Sequence, residues 1–207
     1  MADQTSVANL ALMFIGSETR LLSIDDEKDA ARSLKSIWAI ERQAFIRSNS
    51  WNWATRRHAL AAEAITVPPP YEFSYKLPAL AIRLISVLDG SGRDEVSGYQ
   101  QEGRSILTNH GAPLHVKCLM DIPEIAEWDP LAAQVFAGKL ALTCGQRIAG
   151  SAFDRDLTLR RIREASSDAK SVDAMENPPI EQEESSWVTA RCTGGYSTMG
   201  RPGWEIN

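Results

Sequence analysis

Three consecutive prolines, Pro68 to Pro70, constrain the fold of this chain more than any other feature of its sequence. Proline fixes φ and has no backbone N–H, so a helix cannot run through this segment. The apolar residues that follow alternate with polar ones, which is the period of a β-strand: Tyr71, Phe73, Tyr75 and Leu77. The prolines therefore separate a helical N-terminal part from a region of strands.

The residues before the prolines have the period of two helices. Apolar residues at helical spacing mark the first one: Val7, Leu10, Ala11, Phe14 and Ile15. Asp3 or Thr5 can cap its start, and Gly16 its end. The second helix is longer, with acids crowded at its start, where the helix dipole favours them.

This second helix is predicted to start at Ser23 or Asp25 and to end at Asn49 and Ser50. Its apolar face is predicted to consist of Leu34, Ile37, Trp38, Ala44 and Phe45. After the prolines, further strands are predicted within 81–90, which is β-rich and ends in an Asp-Gly turn signal, within 99–111, and within 113–122, where apolar and polar residues alternate.

Helices return after this region. Asp129 followed by Pro130 is a strong start signal, with a cap and then a first turn. Apolar residues occur on all sides of this helix, which predicts a central, buried position. A polar helix follows, anchored by Leu157, Leu159 and Ile162, and Asn177 to Pro179 end it.

The element order predicts an α+β fold. Two N-terminal and two C-terminal helices, in residues 1–52 and 122–176, form an antiparallel helical bundle, because neither pair can bury its apolar face alone. Residues 53–121 form a small antiparallel β lobe inserted into this bundle. Residues 177–207 form an extended C-terminal arm.

The C-terminal arm has no periodicity and is rich in Gly, Ser, Thr and Pro, so it cannot fold alone. Large and basic residues are spaced along it, and we interpret them as a docking segment for another protein: Trp187, Arg191, Tyr196, Arg201 and Trp204. The alternative is a tail that folds back onto its own domain.

Trp51 and Trp53 lie where the second helix ends and the β lobe starts. Tryptophan buries a large area with few rotatable bonds, so this pair suits a rigid hinge between the two layers. Arg56 and Arg57 can cap the last helical carbonyls or pair with acids of a neighbouring helix. The hinge is therefore assigned to Trp51, Trp53 and Arg57, and a ligand cradle is the alternative.

The charge distribution argues against a DNA clamp, because the net charge of −5 is the wrong sign. Residues 171–186 carry five acids and no base. No apolar run approaches the length of a membrane span, and the N-terminus lacks the pattern of a secretory signal. The three cysteines have no CxxC spacing, which predicts free thiols in a reducing compartment.

No catalytic, cofactor-binding or metal-binding residues are predicted. His58, His110 and His115 lie in no recognisable catalytic or metal-ligand frame. The glycine-rich segment 89–98 lacks the spacing of a phosphate-binding loop. Four arginines lie close together in the last helix and form either a contact for an acidic partner or DNA, or a solvated face: Arg155, Arg160, Arg161 and Arg163.

Three short motifs, in this order, resemble the head-to-tail connector family of short-tailed bacteriophages, whose members are called tail accessory factors or tail tubular protein A. The first is a small residue and a leucine before a glycine, matched by Ala11, Leu12 and Gly16. The second is a Trp-x-aromatic-Ala-x-x-Arg element at the end of a helix, matched by Trp51, Trp53, Ala54 and Arg57. The third is a Tyr-x-Leu-Pro element, matched by Tyr75, Leu77 and Pro78. The family often carries an Asp two residues after that proline, where this chain has Leu80.

The resemblance implies a structural protein of the virion that is present in the host cytoplasm during assembly. Members of the family form a ring of twelve copies beneath the portal and extend the DNA channel. They also offer a platform to the tail nozzle, which is built from another tail tubular protein. Genomic double-stranded DNA would pass through the ring without specific binding. The C-terminal segments of the family engage the portal, which is the role expected of residues 178–207.

Two other functions remain open from the sequence. One is a peptidoglycan-hydrolysing tail protein, which would need two positioned carboxylates that no motif singles out among the 27 acids. The other is a DNA-binding packaging or completion module that uses the arginines of the last helix.

Overall fold

The computed structural model describes residues 2–92 and 95–176. This part of the chain contains four α-helices, two 3-10 turns and six β-strands, so the fold is mixed α+β. The helices are α1 (Gln4–Ile15), α2 (Asp29–Arg47), α3 (Pro130–Ala149) and α4 (Arg155–Met175). The strands are β1 (Thr55–Leu60), β2 (Phe73–Lys76), β3 (Ala81–Leu88), β4 (Tyr99–Glu102), β5 (Ser105–Thr108) and β6 (Leu114–Met120).

Side-chain caps determine where α1, α3 and α4 start, and that of α4 is Asp154, which accepts the N–H of Leu157 at 2.9 Å. Asp3 accepts the N–H of Ser6 at 2.7 Å, and Asp129 accepts those of Leu131 and Ala132 at 2.9 and 3.1 Å. At the end of α1, Gly16 has a φ of 78°, a left-handed conformation that glycine adopts without strain. The predictions of caps at Asp3, Gly16 and Asp129 are confirmed.

The predicted start of the second helix is wrong. α2 begins at Asp29, after Lys28, whose side chain makes no capping hydrogen bond. Ser23 and Asp25 belong instead to a turn in which the Ser23 hydroxyl accepts the Asp25 N–H at 3.1 Å. The turn stays outside the helix because its apolar residue Ile24 is buried in the core, and this packing overrides a local cap.

The strands form two three-stranded antiparallel sheets. In sheet A the order is β1-β6-β3, and in sheet B it is β2-β5-β4. The apolar face of β6 packs with Tyr75 and Ile106 of sheet B to form one of the two hydrophobic clusters. Strand β1 was not predicted, because Thr55–Leu60 lacks a clear alternation and lies at the edge of sheet A.

Helix α3 is the centre of the helical part, as its apolar composition predicts. It contacts α1, α2 and α4, and ten of its residues are buried. Two glycines allow close approach: a Cβ on Gly138 would lie 2.4 Å from Ile162 of α4, and one on Gly145 would lie 2.5 Å from the Phe153 ring. Of the predicted anchors of α4, Ile162 is buried and Leu159 is half-buried, whereas Leu157 is 40% exposed.

Candidate functional site

Six aromatic side chains meet where the helices join sheet A, and we call them the aromatic cluster: Trp38, Phe45, Trp51, Trp53, Trp128 and Phe136. Phe45 lies 5.1 Å from Trp51 and 5.7 Å from Phe136, between ring centroids. Trp53 stacks on Trp128 at 4.6 Å. Such pairs contribute about 0.5–1.5 kcal/mol beyond the area they bury. The cluster therefore links α2, α3 and the start of β1.

The two tryptophans of the predicted hinge occupy different environments in this cluster. Trp51 is 1% exposed, and its indole N–H donates to the Phe45 carbonyl at 3.3 Å. Trp53 is half-buried, and its buried Nε1 has no hydrogen-bond partner among the described residues. Because the Trp51 ring is enclosed by protein, this position does not offer the open aromatic face of a ligand cradle.

The arginines that follow the tryptophans diverge. Arg56 donates to the Trp53 carbonyl at 2.7 Å and pairs with Glu127 at 3.5 Å. Arg57 is exposed on β1, directly opposite Lys117 of β6. The carbonyl of Arg47 at the end of α2 accepts a hydrogen bond from Arg83, at 3.2 Å. Arg83 thus makes the contact with the helix end that the sequence suggests for Arg56 and Arg57.

A buried ion pair ties α2 to the end of sheet A. The Arg42 guanidinium donates to both carboxylate oxygens of Asp121 at 2.9 Å, and Gln43 donates to the same carboxylate at 3.0 Å. The side chains of Arg42 and Asp121 are 12% and 9% exposed. Sequence reasoning missed this pair because 79 positions separate its members. The one feature of the sequence that could have indicated it is Asp121 itself, an acid directly after the largely buried strand β6.

The last turn of α4 is tied to the turn between the tryptophans. The Asp173 carboxylate accepts the backbone N–H of Asn52 at 2.9 Å, and the Asn52 side-chain amide donates to the Asp173 carbonyl. Burial raises the pKa of Asp173, and the nearby charges of Glu176 and Asp129 act in the same direction. No motif marks Asp173, which the sequence shows only as one acid of an acidic stretch.

Burial shifts the pKa values of three further groups toward their neutral forms: Cys118, Cys144 and Lys139. Burial raises the pKa of Cys118 to about 11 and also raises that of Cys144, so both thiols are protonated near neutral pH. Burial lowers the pKa of Lys139, whose ammonium lies 5.3 Å from the Phe45 ring centroid. Both cysteines are free thiols, as predicted, and Cys192 lies outside the described residues.

The other predicted site residues are not brought together. The docking residues Trp187, Arg191, Tyr196, Arg201 and Trp204 all lie outside the described part of the chain. The arginines at 155, 160, 161 and 163 are exposed, but successive residues of a helix point roughly 100° apart. Arg160 and Arg163, three positions apart, therefore share one side of α4, whereas Arg161 points about 100° or more away from both, so the four side chains form no single face.

Within residues 2–92 and 95–176, no group of three or more His, Cys, Asp and Glu side chains is placed to hold a metal ion. No helix of this part is long and apolar enough to cross a membrane. No protein-family model and no curated protein matches the chain.

Proposed function

We propose that the chain is a structural head-to-tail adaptor of a phage virion. In this role it forms a ring of identical copies below the portal, extends the channel for double-stranded DNA and docks the tail nozzle. The proposal assigns the chain no catalytic residue and no cofactor.

We further propose how the helices, the sheets and the C-terminal residues are arranged. The four helices are an antiparallel bundle centred on α3, and the two sheets between Thr55 and Met120 are a β lobe inserted between α2 and α3. Residues 177–207 are the arm that binds the portal. The contacts of α3 with the other three helices support the bundle.

The observation that carries the proposal is the position of the residues on which the family resemblance rests. Most of them are framework residues with exposures of 6% or less: Ala11, Leu12, Trp51, Ala54, Tyr75 and Leu77. Gly16 ends α1 in a conformation that glycine favours. Residues that hold helices and sheets together are the ones that related folds would share, whereas scattered surface matches would carry no such weight.

A ring of identical copies needs a subunit whose two sides complement each other, and rotation then closes the ring. The aromatic cluster and the Arg42–Asp121 pair make the helix–sheet junction rigid, which suits a subunit that must keep its shape under load. An arm that orders on binding would couple attachment to the presence of the portal.

Electron microscopy of the purified full-length chain mixed with its portal protein tests this proposal. We expect rings of this chain stacked coaxially on portal rings. A chain that stays a single particle in the presence of portal, at concentrations where portal rings are intact, contradicts the proposal.

A turbidity assay on purified cell walls separates the adaptor from a peptidoglycan hydrolase. We expect no clearance by the full-length chain. Clearance that a single Glu→Gln or Asp→Asn substitution abolishes would replace the adaptor-only function with an enzymatic one.

A further inference from the structure

Sheet A brings together cations that are far apart in the sequence. Arg57 of β1 lies opposite Lys117 of β6, and Lys117 lies opposite Ser86 of β3. One row further along the same face, Leu119 of β6 lies opposite Arg83. Residues paired across antiparallel strands point to the same face, and their Cβ atoms are roughly 5 Å apart.

The end of α2 places a fourth cation next to Arg83, at the edge of this face. Arg47 donates to the Ile82 carbonyl at 2.6 Å, and Arg83 donates to the Arg47 carbonyl and to the Ser50 hydroxyl. We call the four residues the basic strip: Arg47, Arg57, Arg83 and Lys117. A guanidinium has five N–H donors, so Arg47 and Arg83 keep donors that these bonds do not use.

The basic strip has no acidic partner in the described part of the chain. Ion pairs within residues 2–92 and 95–176 involve Arg32, Lys35, Arg42 and Arg56, and none of them includes a residue of the strip. Like charges directly opposite each other, as at Arg57 and Lys117, destabilise a sheet. An anion bound between them would remove this repulsion.

We propose that the basic strip contacts the phosphate backbone of double-stranded DNA. Hydroxyl side chains lie beside it, since Arg83 contacts Ser50 and Lys117 lies opposite Ser86, and hydroxyl groups are common phosphate donors. Hot spots of protein–protein interfaces combine arginine with tryptophan and tyrosine, and none of the large exposed hydrophobic side chains of the described residues is aromatic. Large exposed hydrophobic side chains of the described residues lie elsewhere, the nearest in sequence being Ile40 and Leu80.

This inference rests on the proposed function, in which DNA passes through a ring of copies, and it adds a specific contact surface. Phosphate contacts carry no sequence information and let a protein slide along a duplex. Four cations per copy give a weak contact that a ring repeats. The net charge of −5 keeps the rest of the molecule repulsive to DNA.

The test measures binding of the full-length chain to a fluorescent mixed-sequence DNA duplex of about 30 base pairs across a salt series. The variant carries R57E and K117E. The matched control carries R160E and R163E, which make the same change in net charge at exposed positions of α4. Circular dichroism and thermal unfolding check that both variants fold. If the charge-reversal variant R57E/K117E does not fold, R57Q/K117Q, which only removes the charges, takes its place.

We expect the strip variant to bind at least about tenfold more weakly at low salt, with the control close to the unsubstituted chain. Because each phosphate contact contributes about 0.9 to the slope of log K against log salt, the slope should fall by about two. No binding by the unsubstituted chain at low salt overturns the inference, and so does an equal loss in the control.

A polyglutamate peptide provides the second arm. If it binds through Arg57 and Lys117 and the duplex does not displace it, the strip serves an acidic protein surface and the DNA inference is overturned. Electron microscopy of the unsubstituted chain with portal, set beside its DNA affinity, separates the two proposals. If the chain forms rings but binds no DNA, only the DNA inference fails. If it binds DNA through the strip but forms no rings, the adaptor function fails.

Discussion

At the scale of single residues, Asp173 is the buried acid whose charge opposes folding. Its pKa is raised in the folded chain mainly by burial, so the folded state holds its proton to higher pH than the unfolded state does. Its contribution to stability is therefore fully present below the unfolded pKa of about 4 and is lost as the pH rises through the folded pKa.

Two substitutions at Asp173 separate its charge from its hydrogen bond. D173N keeps an oxygen that can accept the Asn52 N–H but removes the charge, so we expect it to unfold at pH 7 with an equal or higher free energy. D173A removes the acceptor and should cost about 1–2 kcal/mol. Urea unfolding at several pH values between 4 and 7 measures both. A loss in D173N as large as that in D173A would contradict this account.

The Arg42–Asp121 pair is expected to be costly to break and inexpensive to replace. R42L leaves the Asp121 carboxylate buried with only Gln43 to bind it, which should lower the free energy of unfolding by about 3–5 kcal/mol. Replacing both partners in R42L/D121L should restore most of this loss, since no charge then remains buried. Chemical denaturation of the unsubstituted chain, R42L and R42L/D121L gives the free energies of unfolding. A double variant as unstable as R42L would refute the view that the unpaired charge of Asp121 causes the loss.

At the scale of secondary structure elements, the contact between α3 and α4 depends on Gly138. G138A should lower the free energy of unfolding by about 1–3 kcal/mol, because its methyl group would overlap Ile162, although alanine favours a helix by about 1 kcal/mol over glycine. Thermal unfolding checks the change. G138A/I162V, which shortens the opposing side chain, should recover part of the loss, and G138A that stabilises the chain would show that the helices can separate at little cost.

Some capping residues fix the end of a helix from the local sequence alone, and others do not. Asp3, Gly16 and Asp129 act through bonds to residues within four positions, so their roles as caps follow from the local sequence. Ser23 and Asp25 have the same chemistry, but Leu21 and Ile24 are buried around them and keep this segment a turn. Strand β1 forms because β6 offers it an edge to pair with, which the sequence of 55–60 does not show.

At the scale of the whole molecule, the proposed arm can be tested by truncation. A chain that ends at Glu184 should remain a folded, soluble monomer with an unchanged thermal midpoint, because the aromatic cluster and the described core lie before residue 177. It should no longer join the portal. Sedimentation and portal co-assembly measure these properties, with W187A/W204A in the full-length chain as the control. Unfolding of the truncated chain would mean that the arm belongs to the core.

The sequence alone determined the α+β class, the approximate positions of the helices and most strands, the ends of α1 and the start of α3, because helical and strand periods and capping bonds are local properties. It also placed Trp51 and Trp53 at the boundary between helices and strands. Only the tertiary structure decided which distant residues meet: Arg42 with Asp121, Asn52 with Asp173, and Arg57 with Lys117 beside Arg83. Such pairs depend on strand register and helix packing, which arise from the whole chain and leave no spacing in the sequence that could be read in advance.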